Sequence, residues 1–360
     1  MNKKIFTLLT INPGSTSTKI GVYKNENPVF ETTIRHSSKS LEKFARIWDQ
    51  YTFRKEEIIK TLEKNKVSLN EFDAIVGRGG LIRPIPSGVY HIDDQMIEDA
   101  RAGFQGHHVS NLACVIAYGI GWKYSIPSFI VDPPAVDDME AIAKISGNSE
   151  ITRNSLFHAL NIFATARHFS KENKLEFDKQ NLIVAHLGGG ITVAALQKGK
   201  AINVNNGLSE GPFSPERSGS LPTSSLIGLA FSGKYTKEQI EKLLVGKGGL
   251  VSYFGTNDAS EIEATIESKS SEHHQIVFEA MAYQIAEEIA ARASNLYGQV
   301  DAIILTGGLA KWQKLTELIE NRVKFISKVY KYPGEKELEA LALGGLRVLR
   351  GEESAKKYSR

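Results

Sequence analysis

At 360 residues the chain exceeds what one hydrophobic core usually supports, so two domains are expected, each large enough for an ordinary core. A 41% hydrophobic and 24% charged composition is that of a soluble globular protein, and a net charge of +3 spread along the chain forms no basic block for nucleic acid. Cys114 is the only cysteine, which excludes an internal disulfide and a paired-cysteine metal site, suits a reducing cytoplasmic setting, and reads as a small buried side chain.

Lys3 and Lys4 precede the apolar stretch 5–11, as in a signal peptide. The stretch is short, holds two Thr and meets Asn12 and Pro13 with no small-residue cleavage site, so it reads as a buried first strand. No run reaches the roughly 18 apolar residues of a membrane span, and no membrane partner is expected. Segments 6–11, 19–23 and 29–34 are strand-length and separated by turn residues, which predicts a three-stranded antiparallel meander. A charged helical stretch over 41–64 follows, then the short buried strands of FDAIVGRGG and SFIVDPP. This is an α/β plan, with polar residues just beyond strand ends, where open sheets bind ligands.

The second half repeats that grammar. LIVAHLGGGITVAAL reads as strand, glycine turn, strand, and KAINVNN continues it. Val277, Met281, Ile285, Ile289, Ala293 and Leu296 recur at helical spacing and Gly298 stands where a terminating glycine belongs; DAIILTGG then supplies another strand. The two halves share an order of elements with little residue identity, so the repeat is architectural, and two such lobes leave a cleft. Between these regions, GLSEGPFSPERSGSLPTSS (207–225) is either a functional loop carrying Arg217 or a plain linker.

Three glycine-bearing turns each follow a strand: NPGSTSTK at 12–19, HLGGG at 186–190 and TGGLA at 306–310. Converging backbone N–H groups with no intruding side chains suit phosphate. Neither a P-loop nor a GxGxxG opening a βαβ unit is present, which excludes the commonest nucleotide folds. The remaining arrangement is a two-domain cleft with one hairpin per lobe closing on the phosphates.

NPGSTSTK after a buried strand, with LIVAHLGGGITVAALQKG in the second half, resembles the paired signatures of the acetate and butyrate kinase family, part of the sugar kinase, chaperone and actin superfamily. The resemblance runs in order along nearly the whole chain. GRGGL at 77–81 and HLGGG at 186–190, in place of HRxxHGG and HLGNG, are closest to its butyrate kinase branch. It implies a two-lobe actin-like ATPase fold, each lobe a ribonuclease H-like mixed sheet with flanking helices and the ligand cleft between them. The lobes are expected at 1–155, completed by a helix at about 338–360, and at 156–337, the nucleotide-binding lobe. The implied activity is reversible in-line phosphoryl transfer from MgATP to butyrate, giving butyryl phosphate and ADP. Acetate, propionate or a branched short-chain acid is the alternative, and oligomerisation is expected. An ATP-driven chaperone-like module and a sugar kinase, with Asp132 as base, are the alternatives on the same fold.

The resemblance also assigns roles. Arg217, in PERSG, matches the transition-state arginine, His158 a hydrogen-bond donor to the transferring phosphoryl group, and Asp132 the acidic residue that organises Mg²⁺ with Asn12 and Glu337. Glu335 and Glu339 crowd the register of Glu337. Arg78 matches the arginine that binds the substrate carboxylate, Arg83 competes for that role, and Phe157 is a candidate pocket wall. Gly14, Ser15, Thr16, Ser17 and Lys19 form the first ATP turn; His186, Gly188, Gly189 and Gly190 form the second. Gly307, Gly308, Leu309, Ala310 and Lys311 form the adenosine loop, and Asp258 matches a ribose contact. Ser260 stands where acetate kinases carry an Arg, and His107 or His108 matches a further family histidine.

Overall fold

A computed structural model describes residues 4–268 and 272–358. The chain forms two compact units, Met1–Val136 with Lys336–Arg360, and Asp137–Glu335.

In the first unit, β1 (Thr7–Gly14), β2 (Ser17–Lys24) and β3 (Asn27–Arg35) form the expected antiparallel meander. β4 (Ala74–Gly77) and β6 (Ser128–Val131) run parallel to β1, and β5 (Val89–His91) closes the edge antiparallel, giving the order β3-β2-β1-β4-β6-β5. The 41–64 stretch is not one helix: after a single turn at Ser38–Leu41 the chain breaks, and the continuous helix α1 spans Tyr51–Lys64. The Arg46 N–H bonds the Asp49 carboxylate at 3.2 Å and starts a separate 3₁₀ turn that feeds α1.

Side-chain alternation then decides what each strand end presents. Leu9 and Ile11 of β1 and Ile75 of β4 pack with Ile58 and Leu62 of α1 and with Leu112 and Ile116 of α2 (Asn111–Tyr124). Leu8 and Val76, on the other face, meet the closing helix Glu337–Leu349. The approach is close: a Cβ on Gly345 would lie 2.7 Å from Val76 and one on Gly344 2.5 Å from Val131. Glycine is what lets the helix seat there. By the same parity Asn12, next in line after Leu8 and Thr10, faces this helix.

In the second unit β7 (Asn181–Leu187), β8 (Ile191–Gln197) and β9 (Lys200–Val204) repeat the meander, with β10 (Ala302–Gly307) parallel to β7 and β11 (Val329–Pro333) parallel to β10. The order β9-β8-β7-β10-β11 reproduces β3-β2-β1-β4-β6, so the architectural repeat is present. β7, β8 and β10 are buried almost throughout, as strands covered on both faces must be. Ile183, Ala185 and Leu187 pack under α4 (Glu272–Asn295), which ends before Gly298 at φ +73°. The alternate residue His186 turns to the opposite face, toward α3 (Ala159–Glu172). Among the described residues no helix is long and apolar enough to cross a membrane.

Candidate functional site

In the first unit the polar residues gather at the carboxyl ends of the parallel strands β1, β4 and β6. Registers Ile11↔Gly77 and Gly77↔Ile130 bring Asn12 and Arg78 to one level, with Asp132 one step beyond. Glu337, first residue of the closing helix, joins two of them: it accepts from Asn12 Nδ2 at 2.5 Å and from Arg78 Nε at 3.3 Å. A carboxylate there also suits the positive helix end. Arg78 is 7% exposed, and its Nη1 is buried with no hydrogen-bond partner. A guanidinium nitrogen in that state has a donor that an anion can accept from.

Arg83 is engaged differently. It grips Asp99 with Nε at 2.8 Å and Nη2 at 3.0 Å, and Tyr358 donates its hydroxyl to the same carboxylate at 2.6 Å. Of the glutamates, Glu339 pairs with Lys336 at 3.1 Å and Glu335 belongs to the second unit, so Glu337 is the one that meets Asn12. Asp132 is buried at φ +38°, a left-handed conformation that short acidic side chains tolerate. Its Oδ1 accepts from the Gly88 N–H at 2.7 Å, and its own N–H donates to Gly88 O at 3.1 Å. His107 and His108 are exposed. Among the described residues no three His, Cys, Asp or Glu cluster as a metal site.

The NPGSTS turn closes β1 onto β2, with Ser15 and Thr16 exposed at its tip. Lys19, also exposed, is the cross-strand partner of Asn12, so the two share a face.

In the second unit His186 is the penultimate residue of β7, at 2% exposure. Its Nδ1 meets Asn161 Oδ1 at 2.9 Å and its Nε2 meets Glu335 Oε1 at 3.2 Å. The His158 ring stacks on it at 3.9 Å and 14°. His158 precedes the first turn of α3 and is held by Thr192 Oγ1 at 3.0 Å from Nδ1. Asn161 of α3 and Thr192 of β8 thus hold one imidazole each, and the Glu335 carboxylate is a second partner of His186. Phe157 is buried, its ring edge-on to Phe163 at 6.2 Å.

Arg217 is brought to the GGG turn by a loop that is packed, not a loose linker. Ser214 is fully buried and donates to Gly189 O at 2.7 Å, while Asn205 bonds the Ile191 and Glu210 carbonyls. The Arg217 guanidinium donates to Gly207 O at 2.6 Å and lies where a Cβ on Gly190 would be. Burial pulls its pKa below the ordinary arginine value, and Glu216 opposes this. Gly307 and Gly334 exchange backbone bonds at 3.2 and 2.8 Å, and Gly308–Lys311 forms a 3₁₀ turn with Leu309 and Ala310 buried and Lys311 exposed. Asp258 is exposed and caps the helix Ala259–Glu267 through the Ser260 and Glu261 N–H groups at 2.8 and 3.3 Å.

The structure thus joins Asn12, Arg78 and Glu337 in one cluster, and His158, His186, Gly190 and Arg217 in another. Sequence reasoning passed over Asn161, Thr192 and Arg54. Arg54 left a readable signal: it occupies the apolar stripe of α1 four residues before Ile58 and eight before Leu62.

Residues 144–329, just over half of the chain, match the sequence model of the acetokinase family. The chain superposes on Porphyromonas gingivalis acetate kinase with TM-score 0.78 at 20% identity, covering 96% of this chain and 100% of that one. For Entamoeba histolytica acetate kinase the values are 0.74, 16%, 94% and 98%. For a propionate kinase from Francisella tularensis subsp. tularensis SCHU S4 they are 0.71, 18%, 94% and 98%. At these identities the likeness establishes the fold, a two-lobe actin-like ATPase architecture of two mixed sheets with flanking helices. The family match over more than half of the residues, a range that includes β7 to β10 and the GGG turn, places the chain in the acetokinase family.

Proposed function

We propose that the protein is an ATP-dependent kinase of short-chain carboxylates, with butyrate as preferred acceptor. The observation that carries the reading is Arg78: a buried guanidinium held by Glu337, with Nη1 unpartnered, at the carboxyl edge of a parallel sheet. An anionic acceptor satisfies it, and a neutral hydroxyl acceptor does so only in part. The acid is ionised at neutral pH and needs no general base. Within the class, butyrate is supported by the GRGGL and HLGGG sequences and by the apolar Phe157.

The protein's task is to hold two anions against their repulsion, roughly 4 kcal/mol for unit charges 4 Å apart at an effective dielectric of about 20. Arg78 binds the acid carboxylate. Arg217 offers its planar fork to the equatorial oxygens of the phosphoryl group, and His158 donates to that group. The NPGSTS and HLGGG turns hold the ATP phosphates and Gly307–Lys311 the adenosine. Asn12, Asp132 and Glu337 are hard oxygen donors of the few-ligand kind that suits Mg²⁺ bound mainly by phosphate and water. The bound ion would supply charge neutralisation on the phosphates.

The test is hydroxylamine trapping of acyl phosphate with ATP, Mg²⁺ and straight and branched acids from C2 to C6. Hydroxamate should form with the highest kcat/KM at C4. Each methylene is worth about 1–3 kcal/mol, so the optimum is resolvable. No hydroxamate with any acid sinks the reading; an optimum at C2 or C3 sinks the butyrate assignment alone.

A further inference from the structure

Arg54 is fully buried and every group it bonds is neutral. Its Nη1 donates to Gly14 O at 2.9 Å, Ser17 O at 2.8 Å and Thr18 Oγ1 at 3.1 Å, its Nη2 to Ser15 O at 2.9 Å, and its Nε to Gln50 Oε1 at 3.0 Å. The carbonyl of Thr16 accepts from the His36 N–H at 2.8 Å. All four carbonyls from Gly14 to Ser17 are therefore occupied by donors within the unit, three of them by one side chain. Peptide planarity sets each N–H opposite the preceding C=O, so the Ser15 and Thr16 N–H groups point away from Arg54 at the exposed tip.

Burying a cation without an acidic partner is among the costliest placements a fold makes. Arg54 occupies the buried stripe of α1 that continues as the apolar Ile58 and Leu62. We propose that Arg54 is the positioning residue of the NPGSTS turn and its built-in counter-charge: it draws the carbonyls inward, aims the Ser15 and Thr16 N–H groups at a polyphosphate, and has the ligand's phosphates as its missing anion. The inference rests on the ATP-binding reading above. Burial lowers the guanidinium's pKa to about 10, which leaves it charged at neutral pH. The role is indirect, since the turn stands between Arg54 and the ligand.

The test uses the full chain with Arg54→Gln, which removes the charge, and Arg54→Lys, which keeps it. Arg54→Gln should raise KM for ATP by at least about tenfold, the scale of a charge-assisted hydrogen bond, with KM for the acid changed less than about twofold; Arg54→Lys should recover part of the loss. A folded Arg54→Gln variant with wild-type KM for ATP, or with equal losses toward ATP and acid, overturns the proposal. Should the Gln variant not fold, hydrogen exchange on the wild type decides: the Ser15 and Thr16 amides should slow on adding ATP. An enzyme that makes acyl phosphate without such slowing refutes the Arg54 proposal alone. A wild type that makes no acyl phosphate and shows no effect of ATP removes the reading beneath it, and the proposal with it.

Discussion

Gly190→Ala perturbs Arg217 without deleting it. A Cβ on Gly190 would lie 2.1 Å from Arg217 Nη1 and 2.4 Å from Cζ. Gly190 is not among the residues at positive φ, so the alanine backbone is acceptable and the contact must resolve by movement of the guanidinium. Restoring ordinary contact near 3.5 Å requires a retreat of roughly 1.5 Å. A misplacement of about 1 Å in a group that orients a transition state costs on the order of 10²-fold in rate, or about 2.7 kcal/mol. Initial rates of hydroxamate formation at saturating ATP and acid should therefore fall by about 10²-fold in a folded variant. If the effect passes through Arg217, the double variant Gly190→Ala with Arg217→Ala is no slower than Arg217→Ala alone. A Gly190→Ala enzyme within about threefold of wild-type kcat, or losses that multiply in the double variant, would refute the reasoning.

Arg78→Ala should raise KM for the carboxylate by about 10- to 100-fold and leave KM for ATP within about threefold, because the lost contact is a charge-assisted bond to the acid. Steady-state kinetics in both substrates checks this, and an equal rise for ATP assigns Arg78 another role. His36 gives a pH prediction. Burial, and then the neighbouring Arg54, hold its pKa below the ordinary value, with Glu57 opposing. The neutral ring is the folded form, so its stability contribution is complete above the unfolded value of about 6.5 and is lost as pH falls toward the folded value. Melting temperatures between pH 8 and pH 5 should decline on the acid side, and His36→Gln should flatten that decline; an unchanged slope counts against the assignment.

Local rules made much of the architecture legible. Turn residues between β-branched runs marked the β1–β3 meander, and a strand around a glycine turn marked β7 and β8. Spacing from Val277 to Leu296 marked the apolar face of α4, because one side of a helix recurs every three or four residues whatever it packs against. The break before α1 escaped notice, since its cause is a short polar contact, Arg46 to Asp49, inside a helix-compatible composition. The short strand β5 and the edge strand β11 were likewise unmarked; β11 mixes Lys and Pro with its aromatics.

The sites divide the same way. Chemistry-bearing residues stood out where they sat beside glycine and proline, as in INPGST, HLGGG and PERSG, because such backbone turns tightly and lets a ligand approach closely. Who touches whom did not. Glu335, Glu337 and Glu339 are equivalent in the sequence, and only the packing of the closing helix on β1 and β4 sends Glu337 to Asn12 and Arg78 while Glu335 meets His186. Arg78 and Arg83 are separated by the same means, one paired with Glu337 beside Asn12 and the other with Asp99 beside Tyr358. The chain by itself determined the order of elements and the residue types at the strand ends, since both follow from short-range sterics and alternation. The tertiary structure alone decided which polar and charged groups are buried and with what they pair, because burial and pairing join residues as far apart as Asn12 and Glu337.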